Sequence, residues 1–425
     1  MPLSKLAAMK GKRVLLLQGP LGPFFARFAA FLTAQGATVE KVNFNGGDWL
    51  FYPDAEHVFR APMAEWPRYL EELLRRERYD LVFLFGDCRP IHRVAREVAA
   101  RCGVEVGVFE EGYLRPNYVT LERGGVNAHS PLSRDPEHYR ARGVGEVPAA
   151  SAVGCAFWRM AFWAFSYYLS AIVLRPFFPH YEHHRPLGAG EAIPWLKSVV
   201  RKHLYARREA GIEERLVREH ADRYFLVPLQ VHNDAQVTVH SNYGAVEPFV
   251  REVITSFAAH APSGTLLVLK HHPLDRAYND YTAIIRALAS SAGVAERVHY
   301  IHDQHLPTLL EHARGAVVIN STVGLQALDH RTPLKVCGRA LYDLRGLTFQ
   351  GSLDSFWGAA QGFAIDEALF VAFKRALVLD SQLGGSFYRT LPSGEALEVL
   401  GGRSVESTPS SLPSRTPRDV AAAAE

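Results

Sequence analysis

Residues 224–234, YFLVPLQVHND, decide how the chain is read. The run from Tyr224 to Leu229 is short, apolar and rich in aromatic and branched side chains, as a buried strand requires. It turns abruptly polar at Gln230, His232, Asn233 and Asp234. Parallel strands covered on both faces read this way, and open α/β sheets bind ligands just beyond the carboxyl ends of such strands. Two later stretches repeat the design. Residues 265–269 run into Lys270, His271, His272 and Pro273, and residues 316–319 run into Asn320, Ser321, Thr322 and Gly324. Three strand ends that offer amide, carboxylate, imidazole, ammonium and hydroxyl groups describe a pocket for a polar ligand.

Outward from this stretch the alternation continues. Helices at 246–260, 278–292, 306–313 and 323–330 separate strands at 265–269, 298–301, 316–319 and 333–336. The first half carries the same pattern. Strands are expected at 12–17, 38–42, 79–85 and 104–109, with helices at 24–35 and 91–101. The first strand-to-helix turn, QGPLGP at 18–23, is not the GxGxxG dinucleotide fingerprint, because its prolines block close phosphate approach. Residues 43–49, NFNGGDW, read as a turn-rich loop with Asn45 as a candidate substrate contact. Glu110, Glu111 and Arg115 follow the 104–109 strand, two carboxylates and a guanidinium suited to acid/base work and anion binding.

The fold class expected is therefore α/β, with two Rossmann-like doubly wound domains facing a cleft. Residues 1–185 form the first domain and 186–223 a charged helical linker. The second domain spans 224–401, and a disordered Ser-, Pro- and Ala-rich tail follows at 402–425.

Composition narrows the function. A chain of 425 residues with 48% hydrophobic and 21% charged residues is globular, and its net charge of +3 is too mild for a nucleic-acid partner. Four cysteines without paired spacing fit a reducing compartment, and the basic N-terminus lacks the apolar run of a signal peptide, so the protein is expected to be cytoplasmic. Residues 156–174, AFWRMAFWAFSYYLSAIVL, are long and apolar enough to suggest a membrane. A true span would put the two α/β halves on opposite sides and split their shared cleft. The stretch, within an apolar hairpin at 153–179, is instead expected to lie buried between domains or on the membrane surface. Trp158, Trp163, Tyr167 and Tyr168 favour the surface.

The polar strand ends suggest an anion site. Asn320, Ser321 and Thr322 at a strand-to-helix junction offer hydroxyl and backbone N–H donors to a phosphate, Lys270 and His272 add charge-assisted donors, and Pro273 fixes their loop. His271 reads as structural. Neither CxxC, HExxH nor GxSxG is present, so no metal or other cofactor is expected and an α/β-hydrolase is disfavoured.

Six segments in order resemble the capsular polysaccharide biosynthesis/export proteins of the KpsS/LipB type, over about residues 12–385. They are VLLLQGPLGPFF, VNFNGGDW, FEEGYLRPNYVTLE, PLQVHNDAQV, LKHHP and INSTVGLQAL. The resemblance implies a GT-B fold and a retaining β-Kdo glycosyltransferase. Such an enzyme takes Kdo from CMP-Kdo to a phosphatidylglycerol-type lipid at the inner membrane, starting a linker that a partner enzyme extends for a capsule export complex. It also implies Asp234 as nucleophile, Glu110 as the first acid of an acidic-acidic-Gly motif, and Lys270, His272 and Ser321 as cytidylate contacts. Glu111 stands where the pattern has Asp, and His232-Asn233 where it has Glu-Asp. Gln230 and Asn233 would orient Asp234, and Arg115 with Lys270 would receive the Kdo carboxylate. Two rivals remain: another sugar-nucleotide enzyme on the same fold, such as a UDP-sugar transferase or an epimerase, and a non-catalytic export subunit.

Overall fold

The computed structural model describes residues 9–153, 157–182 and 192–388. Among the described residues twelve strands form two sheets. In the first domain β1 (Arg13–Leu16), β2 (Thr38–Asn43), β3 (His57–Val58), β4 (Leu81–Phe85) and β5 (Glu105–Glu111) are followed by β6 (Tyr118–Arg123). In the second domain β7 (Tyr224–Pro228), β8 (Leu266–Lys270), β9 (Val298–Ile301), β10 (Gly315–Val318) and β11 (Leu334–Val336) are followed by β12 (Gln382–Gly384). The first sheet has seven strands in the order β12-β6-β5-β4-β1-β2-β3, and the second five in the order β11-β10-β7-β8-β9. Strand β7, the opening stretch above, sits at the centre of the second sheet with every residue buried. Its apolar side chains pack on both faces, which explains why it reads as a continuous hydrophobic run.

The second sheet is wholly parallel, while the first ends in two antiparallel strands, β6 on β5 and β12 on β6. These corrections concern boundaries. Residues 382–384, expected in the second domain, complete the first sheet, because the helix Glu367–Ser381 carries the chain back across the cleft. The Gln382 side chain fixes this return, accepting from the Tyr113 N–H at 3.0 Å and donating to the Thr120 hydroxyl at 3.0 Å. The expected linker contains the helices Ala192–Arg208 and Ile212–Glu219. The expected tail, 402–425, lies outside the described residues.

Two readings of the first domain change. Residues 43–49 are not a simple loop: Asn45 caps the helix Gly46–Phe51, its side-chain oxygen accepting from the N–H groups of Gly47 and Asp48 at 2.8 and 2.9 Å. The apolar stretch is not a hairpin but one helix, Phe157–Val173, closed by a short turn at Arg175–Phe177. No helix among the described residues is long and apolar enough to cross a membrane.

The long helix is two-sided. Tyr167 and Ala171 are buried against the Gly46–Phe51 helix, and the Tyr167 hydroxyl accepts from Asn45 Nδ2 at 2.8 Å and donates to Asp48 at 3.2 Å. A side chain on Gly46 would put its Cβ 2.3 Å from the Ser170 carbonyl, and one on Gly47 would meet the Tyr167 ring at 2.5 Å. The opposite face exposes Trp158, Phe162, Phe165, Leu169 and Ile172. Of the aromatics expected at a membrane surface, Trp158 is largely exposed. Tyr167 is buried, and Trp163 packs against Gly22.

Gly46→Val should therefore loosen this helix from the domain, costing about 1–3 kcal/mol of stability as overpacking does. A lowered melting temperature together with faster proteolysis within 157–173 would show it; unchanged protection would mean that the close approach is not required.

Candidate functional site

Because strands of each sheet's parallel core run the same way, each sheet gathers its polar strand ends along one edge. In the first domain Gln18, Asp87, Glu110 and Glu111 lie there, and in the second Gln230, Lys270 and Asn320. The two edges meet. A cavity of about 610 Å³ between them is lined by Tyr113, Arg115 and Asn117 on one side and by Thr322, Gln326 and Lys374 on the other.

Glu110 is the penultimate residue of β5 rather than part of a loop after it. Burial pushes its carboxyl up to about 7, and Glu111 pushes the same way, while the Glu111 N–H (3.0 Å from Oε1), Arg89 and Arg115 pull it down. Arg89, not singled out from the sequence, also donates to Gln18 Oε1 at 2.9 Å, so one guanidinium spans β1 and the Glu110 corner. Arg115 is exposed, is tied back by one bond from Nε to the Gly112 carbonyl at 3.2 Å, and faces the cavity.

In the second domain His272 accepts from the Leu274 N–H through Nδ1 at 3.2 Å, capping the short turn Pro273–Asp275. Burial lowers its pKa to about 4, helped by the charges of Lys270 and, from the other domain, Arg115. The ring is therefore neutral at pH 7. With Nδ1 an acceptor, the proton sits on Nε2, which is a donor for an anion. Lys270 differs from its expected role. It is 7% exposed, and its ammonium donates to the His302 carbonyl at 2.8 Å, so it contributes charge behind His272 more than a projecting contact. Burial also depresses its pKa. His271 is buried with Nδ1 at 2.6 Å from the Tyr300 hydroxyl.

Asp234 follows β7 in a half-buried turn, where one carboxylate oxygen accepts from the Gln236 N–H at 2.9 Å. It thus caps the short helix Ala235–Thr238. Asn233 beside it is exposed. Gln230 is buried, donates to Asn320 Oδ1 at 3.3 Å, and leaves its own carbonyl oxygen without a partner. Asn320 in turn donates to the carbonyls of Gln236 and His240 at 2.8 and 3.2 Å. Ser321 Oγ accepts from the Val323 N–H at 3.2 Å at the start of the helix Val323–Asp329. Pro273 opens its turn as expected.

Asn45 does not join this group. It is 1% exposed, with its oxygen committed to the helix cap and its nitrogen to Tyr167, so it holds the 157–173 helix rather than a substrate. His232, whose role the sequence left open, is placed by a carboxylate. Its Nδ1 lies 2.5 Å from Oδ1 of Asp275, which is fully buried and also accepts from the Tyr281 hydroxyl at 3.2 Å. The signal was present in LKHHPLD, but only the fold shows that this Asp reaches back to the β7 loop.

Two Rossmann-like domains whose polar strand ends meet, with Glu110 and Glu111 on one edge and Lys270 and His272 at the other, make this an α/β protein of the GT-B type. The chain belongs to the capsule polysaccharide biosynthesis protein family, whose model matches residues 80–388. It is 41% identical over 383 residues to the capsule polysaccharide export protein KpsS of Escherichia coli, covering 89% of this chain and 98% of that one. The capsule polysaccharide modification protein LipB of Neisseria meningitidis serogroup A is 40% identical over 386 residues, 89% of this chain and 92% of that one. Among solved structures, the β-Kdo 2,7 transferase KpsC of Thermosulfurimonas dismutans aligns with a TM-score of 0.42 at 16% identity, covering 88% of this chain and 95% of that one.

The Glu110 environment makes a sign-specific expectation. A carboxyl that holds its proton to about 7 when folded, against 4.5 otherwise, makes the native state bind more protons between those values. Stability must then fall as pH rises through that window. Glu110→Gln should remove this loss, leaving the variant about 1–3 kcal/mol more stable than the parent at pH 8 and equal to it below pH 4.5. Parallel stability curves in urea across that range would contradict the assignment.

Proposed function

We propose that this protein is a glycosyltransferase that moves Kdo from CMP-Kdo, with retention of configuration, to a phosphatidylglycerol-type lipid, starting the β-Kdo linker of a capsular polysaccharide. The observation that carries the reading is the Glu110 carboxyl at the cleft edge, which titrates near neutrality, where a general base for a hydroxyl acceptor works best. Membership of a capsule polysaccharide family supports the pathway, and the resemblance of the six sequence segments supports the donor.

In this mechanism the Asp234 carboxylate attacks the anomeric carbon of Kdo as the bond to CMP breaks, giving a glycosyl ester. Glu110 then takes the proton of the acceptor hydroxyl, whose oxygen displaces Asp234; two inversions give net retention. The neutral His272 donates from Nε2 to the departing phosphate, supported by the Lys270 charge and by Ser321 and Thr322 at the neighbouring strand end. Arg115 pairs with the Kdo carboxylate. Gln230 and Asn320 hold the Asp234 loop through their mutual bond and the Asn320 bond to the Gln236 carbonyl. Incubation with CMP-Kdo and a phosphatidylglycerol analogue should yield a glycolipid by mass spectrometry. Asp234→Asn should fold and lose transfer, and Glu110→Gln should accumulate a Kdo-protein adduct at Asp234. Turnover with a UDP-sugar alone, an adduct elsewhere, or no turnover by a folded protein would each defeat the proposal.

The acceptor is a lipid, and the exposed face of the Phe157–Val173 helix is the surface suited to reach it. Trp158 is 83% exposed, Phe162 65% and Phe165 66%, an apolar row with the basic residues Arg159 and Arg175 at its ends. Peripheral docking to an anionic bilayer follows from that amphipathic form. Replacing Trp158, Phe162 and Phe165 together by serine removes side chains worth about 2 kcal/mol each on burial. The variant should remain folded and fail to float with phosphatidylglycerol vesicles that carry the parent protein. Equal flotation would place membrane contact elsewhere.

A further inference from the structure

The two domains also meet at a cluster that the transfer mechanism does not use. Asp87 and Cys88 follow β4, His129 ends the turn Asn127–His129, and His240 comes from the loop after the Ala235–Thr238 helix of the second domain. One potential ligand atom from each of the four residues lies within 4.8 Å of all the others. Cys88 Sγ is 3.1 Å from His240 Nε2 and 3.2 Å from Asp87 Oδ1, while His129 Nδ1 is 2.9 Å from Asp87 Oδ2.

The arrangement has a gap in its hydrogen bonding. His240 is fully buried, yet its Nε2 faces only a thiol and its Nδ1 has no partner. The nitrogen that faces the cluster, Nε2, has only that thiol as partner, and an ion held there supplies a stronger one. Asp87 is unequally satisfied. Its Oδ2 accepts from the Val126 N–H at 3.3 Å and pairs with Arg96 at 3.3 Å and with His129, whereas Oδ1 meets only the Cys88 sulfur. Arg96 therefore balances one oxygen and leaves the other turned toward the sulfur and the second domain.

We propose that Asp87, Cys88, His129 and His240 bind a borderline-soft divalent cation of the zinc class, joining the two domains across the cleft. One thiolate, two imidazoles and one carboxylate are four ligands of the kinds that zinc takes in tetrahedral sites. The spacing of 3.1–3.2 Å about the sulfur is within a few tenths of an ångström of that geometry. Cys88 loses its proton on binding, and the cation takes the place of that proton between sulfur, His240 and Asp87. The consequence for the cleft is direct. The His240 carbonyl accepts from Asn320 at 3.2 Å, so the cation holds the Asn320 strand end at a fixed distance from the Asp87 edge of the first domain.

The cluster escapes sequence inspection because its members are spread from position 87 to position 240 with no paired spacing. The test uses the untagged full-length protein, dialysed against zinc and then against buffer, with metal measured by mass spectrometry and cobalt substitution followed by absorbance. Zinc bound at one equivalent, and a thiolate-to-cobalt charge-transfer band that disappears in Cys88→Ser, are expected. His240→Ala, which removes a ligand, should weaken zinc binding by at least the roughly ten- to hundredfold that loss of an outer-shell partner costs. If either variant fails to fold, protection of the wild-type Cys88 thiol from alkylation by zinc, and its exposure by chelator, decides the question. Substoichiometric zinc, a band that persists in Cys88→Ser, or alkylation indifferent to zinc would overturn the proposal. It would then leave an ion-pair contact of Asp87 with Arg96 and His129.

Discussion

The organisation of this protein depends on the direction of its parallel strands. In a parallel sheet each strand buries its length in apolar contact and releases its polar residues at one end. Stacking β1, β2, β4 and β5 in one sheet and β7 to β11 in another therefore concentrates carboxylates, amides and imidazoles along two edges. Bringing those edges together leaves their charges partly out of water, and the shifts follow: Glu110 upward, His272 and Lys270 downward. Each shift moves its group toward neutrality, which lowers the cost of a dry cleft. The same shift sets a carboxyl close to the working range of a proton acceptor.

A second constraint acts beside Gln18, at the same strand-end edge of the first domain. The 157–173 helix can lie on the Gly46–Phe51 helix only because two glycines admit its backbone, and Asn45 and Asp48 meet the hydroxyl that it brings. A polar contact thus orients an otherwise greasy helix and decides which of its faces remains exposed.

Much of this was legible in the residues, and the exceptions have causes. Period and composition placed the cores of nine strands, because buried parallel strands announce themselves by unbroken apolar runs. They did not distinguish β6 or β12, whose mixed sequences carry no such run; their pairing depends on partners far along the chain. Glu110, Asp234 and His272 are candidates by their position at or after strand ends, and they lie at such ends in the fold. Asn45 was misjudged because an Asn before two glycines suits a loop contact and a helix cap equally, and only the docked Tyr167 separates them. Arg89 and the His232–Asp275 pair were missed for the opposite reason, since each acts through a residue remote in sequence.

The return of the chain at Gln382 has a consequence for how the molecule is made. Strand β6 keeps one edge unpaired until β12 arrives, and 258 residues, positions 124–381, separate the two strands. On the ribosome, which delivers roughly 5–20 residues each second, the first sheet waits tens of seconds with that edge exposed, while the whole second domain is synthesised and folds. A bare strand edge is a template for pairing with other chains. The hazard is greatest for nascent chains that stall or terminate before residue 382, which hold a nearly finished first domain and lack the strand that closes it.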